Sequence, residues 1–211
     1  MCGLTRVDEA ITCSNLGVKA IGCVFYPKSP RHVNEEQAQT ICQAVPDDIK
    51  TVGVFVNETL GNIMRKVKIC NLKAVQLHGS ETPELVESLR LENIFVIKAL
   101  FVDGSPSLKD VCNYNASAYL VECGKGILPG GNALTWNWGK AQAFGEKHPL
   151  ILAGGLSVEN IAGAVAASLP DAVDISSAVE SMPGRKDSVK VKAFMSAVSK
   201  CMIKHKLRKI F

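Results

Sequence analysis

The chain is missing the signatures of several protein classes. No apolar run approaches the roughly 18 residues that cross a bilayer, and no basic segment followed by an apolar one stands at the N-terminus. A cytoplasmic protein with no membrane partner is therefore expected. The eight cysteines (Cys2, Cys13, Cys23, Cys42, Cys70, Cys112, Cys123 and Cys201) include no C-x-x-C pair, and the four histidines (His32, His78, His148 and His205) have no ligand spacing to each other or to the cysteines. Neither zinc nor a disulfide framework is supported, and reduced core thiols with no metal are expected. There is no P-loop lysine and no G-x-G-x-x-G after an early strand. Linkers, low-complexity segments and repeats are lacking too, so residues 1–211 are expected to form one domain.

What is present is ordinary globular material, 47% hydrophobic and 21% charged residues, enough to fill one core. A formal net charge of +4 raises the question of nucleic acid, but much of the excess sits in Lys200, Lys204, Lys206, Arg208 and Lys209. The simplest reading puts those cations at the C-terminal end of a last helix, where the dipole favours them, with no nucleic-acid partner. A patch for a polyanion is the alternative.

Continuous apolar runs recur at residues 20–25, 51–56, 74–77, 93–99, 118–121 and 150–153, and again around Ala172, Val173 and Ile175. Amphipathic stretches separate them, the pattern of parallel strands buried on both faces. Thr5 is predicted to open a helix, with a capping-box-like start, that runs to about Leu16. Residues 106–113 form a further short helix, Thr135 caps one that carries Trp136 and Trp138 outside the barrel, and the last follows Asp187. Seven clear strands and eight helices fit an α/β fold of the (β/α)8 TIM-barrel type, with the first strand truncated or missing and residues 1–3 as its end. An open doubly wound sheet is the rival. It is disfavoured because the Gly-rich strand-to-helix turns come only late in the chain.

Residues 172–187, AVDISSAVESMPGRKD, pass from an apolar run into small hydroxyl residues. Small residues after a strand leave backbone N–H groups free to converge on an anion, which makes Ser176 and Ser177 candidate phosphate binders; a serine-capped helix is the plain alternative. Gly154-Gly155 ahead of Leu156-Ser157 forms a second such turn, and the last two strands are where barrels commonly hold phosphate. Functional residues of a barrel stand at strand C-termini, which nominates Cys2, Arg31, Asn57, His78, Lys98, Glu122 and Asp174. Cys2 and Glu122, on strands one and six, are a candidate base and acid for isomerising a sugar phosphate; a packed thiol and a solvated carboxylate are the alternative. Arg31, on a Pro-bounded loop, has the planar fork to clamp a carboxylate, or is a surface arginine. His78 reads as a capping or satisfied histidine rather than a catalyst. Lys98 offers a Schiff-base amine, but nothing near it in the chain explains a lowered pKa, and it reads as barrel-interior polar packing.

In this order, the pieces CGLT (2–5), FYPKSPR (25–31), VGVFVNE (52–58), VQLHG (75–79), VIKA (96–99), GGLSVEN (154–160) and VDISSAVESMPGRKD (173–187) resemble the phosphoribosylanthranilate isomerase family of tryptophan biosynthesis, whose members are (β/α)8 barrels. The resemblance spans nearly the whole chain. It implies an Amadori rearrangement of N-(5-phosphoribosyl)anthranilate to 1-(2-carboxyphenylamino)-1-deoxyribulose 5-phosphate, with neither metal nor organic cofactor. It also implies Cys2 as the base that removes the C2 proton and Glu122 in the place of the acid that opens the ring. Arg31 would hold the anthranilate carboxylate and Asp174 the sugar hydroxyls, with His78 also binding substrate. Gly154, Gly155, Ser176 and Ser177 would bind phosphate. The implied partner is a small phosphorylated substrate, for a monomer or a homodimer. The chain departs from the family in three places: the family has aspartate at Glu122, glycine at Ala178, and several strand residues where only Met1 precedes Cys2. A short first strand is expected to leave its neighbours' ladder groups unpaired and the base on a fraying end. Two alternatives follow: a barrel that binds a phosphorylated ligand without turnover, or an isomerase broadened toward related aminoaldose phosphates.

Overall fold

The computed structural model describes residues 1–125, 134–203 and 205–211. Seven parallel strands succeed one another in chain order: β1 (Ala20–Val24), β2 (Lys50–Phe55), β3 (Ala74–Leu77), β4 (Phe95–Phe101), β5 (Ala118–Glu122), β6 (Leu150–Leu152) and β7 (Ala172–Val173). They stand where the apolar runs predict them, because strands covered on both faces carry no polar alternation. The helices are α1 (Val7–Asn15), α2 (Glu35–Gln43), α3 (Leu60–Cys70), α4 (Pro83–Leu91), α5 (Gln142–Gly145), α6 (Ile161–Ser168) and α7 (Ser188–Ser199); a 3-10 turn at Leu108–Asn113 takes the helix position between β4 and β5. Side-chain caps start several of them. Asn34 and Gln37 form a reciprocal capping box at α2, Thr82 caps α4 ahead of Pro83, and Asp187 accepts from the N–H groups of Val189 and Lys190 at α7, each cap contributing about 1 kcal/mol.

Residues 1–4 close the ring into a (β/α)8 barrel. On one side the Gly22 N–H donates to the Met1 carbonyl at 2.9 Å, and the N–H groups of Gly3 and Leu4 donate to the Gly22 carbonyl; on the other the Cys2 N–H donates to the Ile175 carbonyl at 2.9 Å. The expected gap is thus bridged at the level of Cys2, which is held from both sides rather than on a fraying end. Gly22 makes this approach feasible, since a Cβ there would lie 3.3 Å from both Cα and Sγ of Cys2.

The opposite end of the barrel is filled by the C-terminus. Ile210 is buried in one cluster with Val52, Ala74 and Ile151, and the Phe211 ring stands 5.5 Å from that of Phe95. Burying Ile210 stabilises this arrangement by roughly 2 kcal/mol, and Arg208 anchors it by donating to both carboxylate oxygens of Asp171. This corrects the expected placement of the basic residues. Helix α7 stops at Ser199, so Lys200 is its C-cap, while Lys206, Arg208 and Lys209 belong to a non-helical tail; Lys204 lies outside the described residues.

Alternation along the strands sorts side chains into two sets. Ile97, Ala99, Leu120 and Ile151 form the barrel interior, whereas Ile21, Phe55, Leu77 and Val96 pack in the cluster shared with the helices. Lys98 falls between Ile97 and Ala99, so it faces the helix layer, not the interior, correcting the sequence reading. The predicted capping box of α1 is also absent: the helix starts at Val7 with no side-chain cap. The Thr5 hydroxyl instead donates to the Gly184 carbonyl at 2.6 Å, in a hairpin of β8 (Glu180–Met182) and β9 (Arg185–Lys186) that stands between β7 and α7.

Candidate active site

The same alternation turns Gln76, Glu122 and Asp174 inward at the C-terminal mouth, with His78 two residues beyond Gln76 and Cys2 entering from the closing segment. Cys2, His78, Glu122 and Asp174 line one cavity of about 370 Å³, together with Arg31, Gly154, Gly155, Ser176 and Ser177. Nine of the residues nominated from the sequence therefore line one cavity. Two of the other strand-end residues weighed above stand apart: Asn57 accepts from the Ser80 N–H, and Lys98 pairs with Glu81 at 2.9 Å, both side chains fully buried.

On the proton-transfer wall, Cys2 is half-buried as a residue, but removal of its thiol from bulk water, reinforced by the neighbouring Asp174 charge, pushes its pKa up to about 12. Lys186 and Arg31 work in the opposite direction without prevailing. Burial likewise raises Asp174. Glu122 is only 8% exposed, so it is not the solvated carboxylate of the alternative reading. Its Oε1 lies 3.2 Å from His78 Nε2, and His78 Nδ1 lies 2.8 Å from the Gln76 amide nitrogen. With that amide donating, the neutral ring carries its proton on Nε2, aimed at Glu122. Burial lowers the His78 pKa, but the Glu122 charge and hydrogen bond outweigh it and the net direction is up. His78 is thus satisfied, as the sequence reading favoured, with Glu122 and Gln76 as its partners.

Backbone makes the opposite wall. Gly154 and Gly155 have φ of 85° and 66°, a region open to glycine at no steric cost. A Cβ at Gly155 would lie 2.5 Å from the Thr135 nitrogen. Among the described residues, the N–H groups of Gly154, Gly155, Ser176 and Ser177 find no protein acceptor, leaving free donors on residues that line the cavity. Both tryptophans hold this wall: Trp136 Nε1 donates to the Ala153 carbonyl at 3.0 Å and Trp138 Nε1 to the Gly154 carbonyl at 3.3 Å. The rings themselves pack against the helix-side clusters, outside the barrel interior as expected. Asn137, not Thr135, precedes and caps the 3-10 turn at Trp138–Ala141. The glycines between β5 and Trp136 at positions 126, 130 and 131 lie outside the described residues.

The Arg31 fork is already engaged. Nε and Nη2 each donate to one oxygen of Glu180 at 2.8 Å, and Lys186 Nζ lies 2.8 Å from the same carboxylate. Sequence reading missed Glu180, Lys186, Gln76 and Glu81. Glu180, Arg185, Lys186 and Asp187 are simply charges around a Pro-Gly turn in the sequence, and nothing local shows that two of them are buried. The nearest signal was Gln76, two residues from His78 on an otherwise apolar strand.

Proton donors and acceptors on one wall and an anion cradle on the other define a barrel enzyme that works by acid/base chemistry on a small anionic ligand. Among the described residues no cluster of three or more His, Cys, Asp or Glu side chains is placed to hold a metal ion, and no helix is long and apolar enough to cross a membrane. The family profile of N-(5'-phosphoribosyl)anthranilate (PRA) isomerase matches residues 1–197. The PRA isomerase of Desulfatibacillum aliphaticivorans is 47% identical over 211 residues, 100% of this chain and 97% of that protein. The crystal structure of the Thermotoga maritima enzyme superposes with a TM-score of 0.87 at 36% identity, covering 94% of this chain and 97% of that one. A PRA isomerase structure in complex with reduced 1-(o-carboxyphenylamino)-1-deoxyribulose 5-phosphate gives 0.83 at 35% identity, covering 94% and 96%. The chain belongs to the phosphoribosylanthranilate isomerase family.

Proposed function

We propose that this barrel rearranges N-(5'-phosphoribosyl)anthranilate to 1-(2-carboxyphenylamino)-1-deoxyribulose 5-phosphate, with Glu122 as acid and Cys2 as base. The observation that carries this reading is the placement of Cys2 and the His78-braced Glu122 in the same cavity as the N–H groups of Gly154, Gly155, Ser176 and Ser177, which have no acceptor among the described residues. The phosphate sits against those N–H groups, and Arg31 meets the anthranilate carboxylate through the guanidinium edge that Glu180 leaves free. Glu122 protonates the furanose ring oxygen, and the ring C–O bond breaks as the anilino nitrogen supplies its lone pair. The resulting iminium cation acidifies the C2–H one bond away. Cys2 takes that proton, the C2–H electrons neutralise the iminium as an enolamine, and the enolamine tautomerises to the ketone. Without ligand the thiol is protonated, its pKa being about 12; the iminium charge favours its thiolate during turnover, the thiol proton passing to the neighbouring Asp174 carboxylate before Cys2 accepts the C2 proton. Asp174, beside Cys2, accepts hydrogen bonds from the sugar hydroxyls. The ligand is a small phosphorylated molecule, and the free cysteines suit a reducing compartment such as the cytoplasm.

Purified protein given freshly made phosphoribosylanthranilate is expected to remove its fluorescence with saturation kinetics. No turnover, with the reduced product analogue still bound, would leave a phosphate-binding barrel and sink the enzyme reading.

A further inference from the structure

A buried chain of hydrogen bonds runs beneath the cavity from one end of the ligand site to the other. It starts at Arg31, whose Nε and Nη2 donate to Glu180 at 2.8 Å each. It continues from Glu180 Oε1 to Lys186 Nζ at 2.8 Å, and from that ammonium to the carbonyl and hydroxyl of Ser176 at 3.1 and 3.3 Å. Ser176 Oγ then donates to the Cys2 carbonyl at 3.0 Å. Arg31, Glu180 and Lys186 are 7, 7 and 8% exposed. Burying two cations and one anion is costly, and nothing about closing a barrel demands it.

The hairpin that carries Glu180 and Lys186 does not need their side-chain charges to stay in place. Arg185 Nε and the Lys186 N–H donate to the two oxygens of Glu9 on α1. Thr5 holds Gly184, and Lys190 Nζ on α7 donates to the Glu180 carbonyl at 2.8 Å. The Glu180 carboxylate is therefore left for Arg31 and Lys186 alone. Arg31 is trapped from the other side by Gly3, where a Cβ would lie 2.4 Å from Arg31 Cδ. A guanidinium held in this way has lost its rotamer freedom before any ligand arrives, and it presents one fixed edge to the cavity.

We propose that Glu180 and Lys186 are positioning residues that fix the separation between Arg31 and Ser176, so that the site selects a ligand carrying a carboxylate and a phosphate at that separation. The inference rests on the reading of Arg31 as the carboxylate contact and Ser176 as a phosphate contact. It assigns specificity to two residues that touch neither the ligand nor the reacting atoms. The chain acts as a ruler: ligands that engage both ends feel it, and ligands that engage one end do not.

The test compares a two-ended with a one-ended probe in Glu180→Gln, which keeps the shape of the side chain and loses one acceptor for Arg31. The probes are the reduced product analogue and inorganic phosphate, each titrated by calorimetry, alongside turnover of phosphoribosylanthranilate. The expected result is a loss of about tenfold or more in analogue affinity and a matching rise in KM, with phosphate affinity and kcat within about threefold. Glu180→Asp keeps the charge opposite Lys186 while shortening the reach to Arg31, and is expected to give the same split should the glutamine variant fail to fold. Equal losses for both probes, or a lower melting temperature with unchanged KM, would overturn the ruler and leave a purely structural ion-pair network. If the unsubstituted protein fails to turn over substrate, the proposed function falls and this inference with it.

Discussion

The two walls of the mouth are built from different materials. The anion cradle is backbone: glycines with positive φ, small hydroxyl residues, and indole N–H groups that tie down the carbonyls of Ala153 and Gly154. The proton-transfer wall is side chain upon side chain, Gln76 on His78 on Glu122, with Lys98 and Glu81 buried behind it. A wall of backbone donors tolerates loss of a side chain and fails on gaining one. A wall of buried partners does the reverse, because each group removed strands another.

Removing Glu81 is the most severe test of that contrast. Its carboxylate accepts from the N–H groups of Asn57 and Gly79 and from Lys98 Nζ, so it ties the ends of β2, β3 and β4 together. Glu81→Gln strands a fully buried ammonium, and urea unfolding is expected to show a loss of about 3–5 kcal/mol. A loss below about 1 kcal/mol would mean that the pair does not brace the wall. On the cradle, Gly155→Ala drives a methyl into the Thr135 backbone and is expected to lower kcat/KM by about a hundredfold, the cost of misplacing a ligand by about 1 Å. Ser177→Ala removes only a hydroxyl, and its kcat/KM should stay within about threefold. Similar effects for the two would erase the distinction between the walls.

Glu122→Asp probes the wall where this chain departs from its family. The glutamate reaches His78 at 3.2 Å, and a side chain one methylene shorter withdraws from that partner. A fall in kcat of about tenfold is expected; a rise would show that the longer acid is misplaced. The smallest effect is on acid stability. Burial works to raise the Glu180 pKa, but Arg31 and Lys186 outweigh it and hold the carboxyl below its ordinary 4.5. A depressed carboxylate stabilises the fold fully above its ordinary value and loses that contribution as pH falls through the folded one. Urea midpoints followed from about pH 6 to about pH 3 should fall more steeply for the unsubstituted protein than for Glu180→Gln. Parallel curves would deny that the carboxylate is charged and paired in the fold.

The seven strands, most of the helices and the convergence on one mouth were legible because they depend on local pattern: apolar runs, the positions of glycine and serine, and strand-end placement. What escaped was decided by partners distant in the chain. Thr5 reads as a helix cap until Gly184 is folded against it. Glu180 carries no local signal of a role until Arg31, 149 residues earlier, supplies its fork. Lys98 shows the limit most plainly. Its strand position was legible, but which face it took depended on the phase of the alternation, and burial, against the opposing pull of Glu81, supplied the lowered pKa that no neighbour in the chain explained. The first strand is as short as the sequence says, but the consequence was overstated, because the number of strand residues says nothing of whether their few hydrogen bonds fall at the level of Cys2.

Replacing Cys2 by alanine separates chemistry from binding most directly, since the cradle and Arg31 are left intact. With Cys2 as the base, kcat for phosphoribosylanthranilate falls by about 10²–10⁴, while the reduced product analogue binds Cys2→Ala within about threefold of the unsubstituted protein. Equal rates for the two proteins would contradict that assignment.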